Sequence, residues 1–187
     1  MTIYTRKGDK GFTHRPDGQA VRKSEAFCQA LGTIDELNSV VGWCIQSAAQ
    51  AGAEDVRAAL QDVQRELMAS GALLAAAGTT ARPNVALDPA SVDRMEHQID
   101  AAWARAGDLT HFILPGGCEL ACRLHVARTV CRRAERCVVA AVDSGVPSDP
   151  LVLRHLNRLS DLLFALARLA NHLAGQDEQL WPGRPAK

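Results

Sequence analysis

Five stretches of this chain repeat apolar residues every three or four positions, the spacing that buries one face of an α-helix. Glycine and proline separate these stretches, as at Gly52 and in the runs GTTARPNVALDP and DSGVPSDP. No strand-like alternation is sustained, so the pattern predicts an all-α, single-domain, antiparallel bundle of five helices. The predicted helices cover about residues 24–49, 54–77, 88 or 91 to 106, 118–142 and 149–174.

Outside the helices, we expect an N-terminal loop in residues 1–23 and a polar tail in residues 176–187, with the helical region between them in residues 24–175. Aromatic residues make up only 4% of the 187, which favours closely packed helices over a β-sandwich. Acidic and basic side chains balance at 21 each, so we do not expect an overall electrostatic potential that attracts nucleic acids or membranes.

The polar, glycine-rich start MTIYTRKGDKG lacks the apolar region of a signal peptide, and no apolar run reaches transmembrane length. We therefore predict a cytoplasmic protein whose six cysteines are reduced. Three residues of the fourth helix share a face at the spacing i, i+4, i+7 and could ligate zinc: Cys118, Cys122 and His125. No fourth ligand is evident, and small core cysteines are common, so a packing role is favoured.

A row of arginines interrupts the apolar fourth helix in the run HVARTVCRRAER. Arg128, Arg132 and the pair Glu135 and Arg136 follow i, i+4, i+7/i+8 spacing and share one face, with Arg133 beside it. One interpretation is a solvated face with intrahelical ion pairs of about 0.2–0.5 kcal/mol each. The other is an anion site, because guanidinium groups match phosphate geometry and Glu135 can hold an arginine or help organise a metal-bound phosphate.

The fifth helix carries polar residues in the leucine-rich run LRHLNRLSDLLF. Asn157 and Asp161 lie four residues apart, with Ser160 and Phe164 adjoining the same face. Buried polar groups need partners, so hydrogen bonds between helices are one explanation and a ligand site is the other.

The N-terminal run TRKGDKGFT combines glycines that allow close backbone approach, Gly8 and Gly11, with side-chain donors. Backbone amides in such a loop can form a concave anion site, although the run has no Walker A pattern and a polar terminus is the more common case. The donors are Thr5, Arg6, Lys7, Lys10 and Thr13.

Taken in order, the runs YTRKGDKGFT, GTIDELNS, FILPGG, ARTVCRRAER and LNRLSDLLFALARLAN resemble the PduO-type ATP:corrinoid adenosyltransferases nearly end to end. The resemblance implies a ferritin-like five-helix bundle that forms a homotrimer with active sites between subunits. It also implies transfer of the 5′-deoxyadenosyl group of ATP to the cobalt of reduced cobalamin, with Mg²⁺ carried by the ATP phosphates and triphosphate released. A flavin reductase would supply electrons, and an adenosylcobalamin-dependent enzyme would accept the product.

By motif position, the resemblance assigns a set of residues to nucleotide binding: Thr5, Arg6, Gly8, Asp9, Lys10, Gly11, Thr13, Lys23, Arg132, Glu135 and Asn157. It assigns Asp35 and Arg128 to a pair that links helices and orders the corrinoid side. Phe112 matches the aromatic ring that blocks the lower face of cobalt, and Phe164 a second hydrophobic residue there. The residues expected to act directly in catalysis are Arg132, Phe112, Asp35 and Arg128.

The chain departs from the family pattern in its nucleotide-loop half. The run HRPDG replaces a Ser-Leu-x-x-Gly type segment, and the expected Arg, Arg, Glu and Tyr are replaced by Ala20, Phe27, Gln29 and Leu31. These changes motivate an alternative in which the protein binds cobalamin and ATP without catalysis, as a carrier or delivery protein on the same bundle.

Overall fold

The five predicted helices are all present in the computed structural model, which describes residues 3–4 and 6–181. Every boundary lies within two residues of its predicted position, so periodicity and breakers located the helices correctly. Helix α1 packs on α2 and α4, and α5 packs on α3 and α4. The helices are α1 (Ala26–Gln50), α2 (Glu54–Ala76), α3 (Ala90–Ala106), α4 (Glu119–Asp143) and α5 (Pro150–Leu173).

Two helix starts are set by local hydrogen bonds. At α5, the side chain of Asp149 accepts a bond from the backbone N–H of Leu151 at 2.9 Å, and Pro150 occupies the first turn, where no N–H is needed. Before α3, the Asp88 carboxylate accepts from the N–H of Ala90 at 2.9 Å. These caps explain why the two starts are readable from the sequence.

Leucines from α1, α2 and α5 form much of the core. Leu37, Leu60, Leu67, Leu156 and Leu163 are fully buried. Each contributes about 2 kcal/mol relative to an exposed side chain, so the apolar faces that predicted the helices also hold the bundle together.

A short β-hairpin precedes the bundle, an addition to the predicted helical fold that the sequence analysis did not locate. Strand β1 (Phe12–His14) pairs antiparallel with β2 (Ala20–Arg22). The N–H of Gly18 donates to the carbonyl of Arg15 at 2.9 Å and closes the turn, with Gly18 at φ +87°. Three-residue strands are too short to show alternation, but the Pro-Asp-Gly run was a usable turn signal.

The segment predicted as a polar tail also forms structure. Ile113, between α3 and α4, makes an antiparallel bridge with Leu180, so residues 176–181 return to the bundle. Within the described part of the chain, no helix is long and apolar enough to cross a membrane. All six cysteines are free thiols.

Candidate functional site

The arginine row on α4 is only partly occupied by its own chain. Arg133 forms an ion pair with Glu36 of α1, and the Arg136 Nη1 donates to the carbonyl of Arg132 at 2.9 Å. The guanidinium of Arg132 is exposed and forms no ion pair with any carboxylate of the described residues. The ion pairs expected within the row are not formed among the described residues, because Arg133 pairs with a different helix, and the exposed Arg132 guanidinium is available to an anion.

Glu135 and Asn157 join α4 to α5. The Asn157 Nδ2 donates to Glu135 Oε1 at 2.9 Å. This is the hydrogen bond between helices that the sequence allowed, and it also leaves the second Glu135 oxygen for another partner. It lies one helical turn along α4 from Arg132.

A cavity of about 350 Å³ opens beside these residues, between α4, α5 and the segment that precedes α4. It brings together four of the residues assigned by resemblance, although they are up to 52 positions apart in sequence: Phe112, Arg128, Arg132 and Phe164. Leu109, Ile113, Ser160 and Asp161 complete the lining. The ring of Phe112 is 75% exposed, so this large apolar surface is available to a ligand.

The Phe164 wall of the cavity is supported by three side chains. The ring lies 6.2 Å from that of Trp103 and 6.0 Å from that of His125, while the Arg128 guanidinium sits 5.8 Å from its centroid. Among the residues that the structure describes, neither His125 ring nitrogen has a hydrogen-bond partner, and the same holds for the buried Nε of Arg128. Burial, and secondly the charge of Arg128, lower the pKa of His125, so the imidazole is held neutral against this wall.

The segment that carries Phe112 is held by α5 at its far end. The buried amide of Asn171 accepts from the N–H of Cys118 at 2.9 Å and donates to the carbonyl of Gly116 at 3.0 Å. A Cβ on Gly117 would overlap this amide, and Gly117 has φ +105°, so only glycine fits. The Pro-Gly-Gly break is therefore a docking point as well as a turn.

The N-terminal loop forms a second group of predicted residues. The Lys23 Nζ lies 2.9 Å from the position of a Cβ on Gly8, and the Lys23 N–H donates to the carbonyl of Gly11 at 3.0 Å. Arg6 has φ +59°, uncommon for a side chain larger than glycine. Arg6, Asp9, Lys10 and Lys23 are exposed. Thr5 lies outside the described residues.

A second cavity, of about 510 Å³, lies between this loop and α1. Thr13 and Lys23 line it, together with Cys28 and Leu31. This cavity shares no lining residue with the one around Phe112. The predicted nucleotide-binding residues therefore divide into two groups within one chain.

The predicted pair of Asp35 and Arg128 is not formed within the chain. Asp35 is exposed on α1, and no ion pair joins it to Arg128 in the described structure. Cys118, Cys122 and His125 do not form a metal cluster either, since no group of three or more metal-ligating side chains occurs among the described residues.

One departure from the family pattern, Phe27, packs against a second residue of the divergent half. Phe27 is buried, and the Arg15 guanidinium lies 4.3 Å above its ring while donating to the carbonyl of Ala77. Arg15 thus brings a positive charge to the second cavity, whose wall it also forms. Sequence reasoning missed Arg15, although it lies in the HRPDG run already noted as divergent.

The chain matches a family model described as cobalamin adenosyltransferase over residues 3–170. It is 45% identical over 176 residues to the corrinoid adenosyltransferase of Bacillus subtilis, covering 94% of this chain and 89% of that protein. It is 41% identical to corrinoid adenosyltransferase PduO of Salmonella typhimurium, over 94% of this chain and 52% of that longer protein.

Among solved structures, a variant of the PduO-type ATP:corrinoid adenosyltransferase from Lactobacillus reuteri, complexed with cobalamin and ATP, superposes with a TM-score of 0.90. The two sequences are 34% identical, and the match covers 97% of this chain and all of that one. A second variant of that protein, complexed with ATP, gives a TM-score of 0.87 at 35% identity, over 96% of this chain and 99% of that one. With the family model, these likenesses establish that the chain belongs to the cobalamin adenosyltransferase family.

Proposed function

We propose that this protein transfers the 5′-deoxyadenosyl group of ATP to the cobalt of reduced cobalamin and releases triphosphate. The observation that carries the proposal is the composition of the cavity between α4 and α5. One side presents the guanidinium of Arg132, which suits a phosphate, and another presents the exposed ring of Phe112, which suits the flat apolar face of a macrocycle.

The nucleotide is proposed to bind between copies of the chain in a homotrimer, held by the N-terminal loop of one and by α4 of its neighbour. Three features support this arrangement. The two groups of predicted residues line separate cavities, the Nε of Arg128 is buried without a partner, and Asp35 on α1 is exposed and unpaired with it. A neighbouring copy would bring Asp35 to Arg128 and join the two half-sites. Trp43 of α1 and Val139 of α4 are also exposed, as an apolar interface requires.

Magnesium fits this site as an ion carried by the phosphates. The described residues contain no group of three metal-ligating side chains, so within that part of the chain no protein cage for the ion is formed. Mg²⁺ in nucleotide sites commonly uses one or two carboxylates together with phosphate oxygens and water. Glu135 supplies one such carboxylate, oriented by Asn157. The ion would neutralise charge on the triphosphate.

The chain's own residues are proposed to position the reactants and to stabilise charge. The phenyl ring of Phe112 cannot coordinate cobalt, so its place against the lower face would exclude water and the benzimidazole base and ease reduction to Co(I). Co(I) then displaces triphosphate from C5′ of the ribose. Arg132 would stabilise the negative charge that develops on this leaving group, and no general base is required.

The proposed location and partner enzymes follow from the chemistry of the thiols and of the reaction. The free thiols are the state that a reducing compartment maintains, which supports a cytoplasmic location. The reaction needs an electron donor for cobalt, for which a flavin reductase is suited, and an enzyme that uses adenosylcobalamin to receive the product.

The deciding experiment is an adenosylation assay. The purified protein is mixed with ATP, Mg²⁺ and cobalamin that has been chemically reduced to Co(I), and the absorbance spectrum and phosphate products are followed. We expect light-sensitive adenosylcobalamin and one triphosphate per product. Binding of both ATP and cobalamin without product would instead establish the carrier alternative, and sedimentation would determine whether the active species is a trimer.

A further inference from the structure

Arg168 of α5 is a buried cation outside the cavity. The residue is 2% exposed, and within the described part of the chain it meets one carboxylate, that of Glu178 in the C-terminal segment. Arg168 Nε donates to both Glu178 oxygens at 3.0 and 3.1 Å, and Nη2 donates to Oε2 at 3.1 Å. A buried guanidinium is strongly unfavourable without such a partner, so folding of α5 demands that Glu178 return to the bundle.

Residues 176–181, here named the C-terminal strap, then hold the backbone of the segment that carries Phe112. The N–H of Leu114 donates to the carbonyl of Gln179 at 2.8 Å, and the N–H of Trp181 donates to the carbonyl of Phe112 at 2.7 Å. The two aromatic rings of Phe112 and Trp181 are 6.3 Å apart. With Asn171 fixing the other end at Gly116 and Cys118, the segment is attached on both sides of Pro115.

The same guanidinium also supports the far wall of the cavity. It lies 4.4 Å above the ring of Trp103, which contacts the ring of Phe164 at 6.2 Å. Phe164 itself is one helical turn before Arg168 on α5. One buried charge therefore touches both the strap behind Phe112 and the aromatic support behind Phe164.

We propose that Arg168 and Glu178 are positioning residues for the corrinoid side: their buried ion pair anchors the C-terminal strap, and the strap holds Phe112 in place at the cavity. The role of Phe112 toward cobalt rests on the proposed function. The inference that Arg168, through the strap, fixes the backbone of residues 112–114 does not depend on that function.

A purely stabilising role explains these contacts less well. Buried ion pairs contribute little net stability compared with well-packed apolar residues of similar volume. This pair additionally leaves Arg168 Nη1 without a hydrogen-bond partner among the described residues. The ion pair instead fixes the orientation of Glu178, because the planar guanidinium can form its three hydrogen bonds with only one placement of the carboxylate.

The test compares wild-type protein with Glu178→Gln and with the control Glu54→Gln, which removes a carboxylate from an exposed ion pair with Arg57 on α2. Hydrogen–deuterium exchange of the Leu114 and Trp181 backbone N–H groups, which donate to Gln179 and Phe112, measures the strap directly, without any ligand. We expect exchange there to rise at least about tenfold in Glu178→Gln and to stay unchanged in the control. Bound Co(II) cobalamin should lose its base-off spectrum, and turnover from Co(II) should fall roughly 10- to 100-fold, with ATP affinity retained.

A double variant, Arg168→Met with Glu178→Leu, keeps the test valid if the single variant does not fold, because it leaves no unpaired buried charge. We expect it to melt near the wild-type temperature yet to show the same faster exchange and the same loss of base-off Co(II). Wild-type protection of the Leu114 and Trp181 N–H groups in either folded variant would overturn the proposal. If wild-type protein forms no adenosylcobalamin, the proposed function fails, while the exchange experiment still decides the role of the ion pair.

Discussion

Two segments of this protein are proposed to contact substrates, and they are built in opposite ways. The segment with Phe112 is tied to α5 through Asn171 and to the C-terminal strap through backbone pairing. The N-terminal loop exposes Arg6, Lys10 and Lys23. Its turns are closed by backbone hydrogen bonds, such as the one that the N–H of Gly11 donates to the carbonyl of Gly8 at 3.2 Å. We therefore expect the Phe112 side of the corrinoid site to be set when one chain folds, whereas a neighbouring copy would complete both the nucleotide half and the Asp35–Arg128 pair.

The largest effect should come from breaking the tied segment. Gly117→Ala places a Cβ inside the Asn171 amide at φ +105°, and we expect a loss of about 3 kcal/mol or more in the free energy of unfolding. Gly52→Ala is the control, since φ is +66° there and nothing lies within 4 Å of the added Cβ. It should cost about 1 kcal/mol. Equal losses in urea titrations would show that Asn171 is not a rigid clamp.

Phe112→Ala tests the corrinoid half while keeping the backbone bonds of its segment; it removes an exposed ring together with the contact of that ring with Trp181. We expect unchanged melting, a bound Co(II) spectrum with a lower axial ligand, and turnover from Co(II) about 100-fold slower. Met68→Ala, another exposed apolar truncation, serves as the control. An unaltered Co(II) spectrum in Phe112→Ala would contradict the assignment.

Arg132→Ala tests the contact with phosphate. Loss of a charge-assisted hydrogen bond should weaken ATP binding by about 2 kcal/mol, roughly 30-fold, and leave cobalamin binding much less affected. Arg105→Ala, which removes an exposed arginine paired with Asp55, should change neither affinity. Calorimetry that found the larger loss for cobalamin would remove Arg132 from the phosphate site.

Lys23→Met should separate affinity from stability in the N-terminal loop. The Lys23 amine is exposed, so the free energy of unfolding should change by less than about 0.5 kcal/mol. If the amine meets the phosphates, ATP affinity should fall about tenfold, and the loss should shrink at high salt. An unchanged ATP affinity in a variant that melts like the wild type would place this lysine outside the site.

The smallest effect concerns pH. The folded-state pKa of His125 lies below its ordinary value of 6.5, mainly through burial, so the unfolded chain takes up the proton first as pH falls. Its stability contribution is complete above about pH 6.5 and declines below it, by about 1.4 kcal/mol per pH unit at most. His125→Leu should flatten this decline in melting curves between about pH 8 and 5, and a parallel decline in both proteins would exclude His125 as its source.

Several parts of the fold and site were predictable because their signals are local. Apolar periodicity located all five helices, and Asp149-Pro150 marked the start of α5. The hairpin was missed because three-residue strands carry no periodicity, although Pro16-Asp17-Gly18 signalled its turn. Arg168 and Asn171 were passed over inside the run LARLAN, where two polar side chains in a buried helix could have indicated distant partners.

The sequence alone determined the helices, the face of α4 that carries the arginines, and the family resemblance, because each depends on residues close together along the chain. Only the tertiary structure decided which arginines are already paired, that Phe112 and Arg132 share a cavity, and that Glu178 returns to Arg168. The physical reason is that a buried charge or an amide in contact with a glycine requires a partner, but nothing in the local pattern specifies which partner folding brings to it.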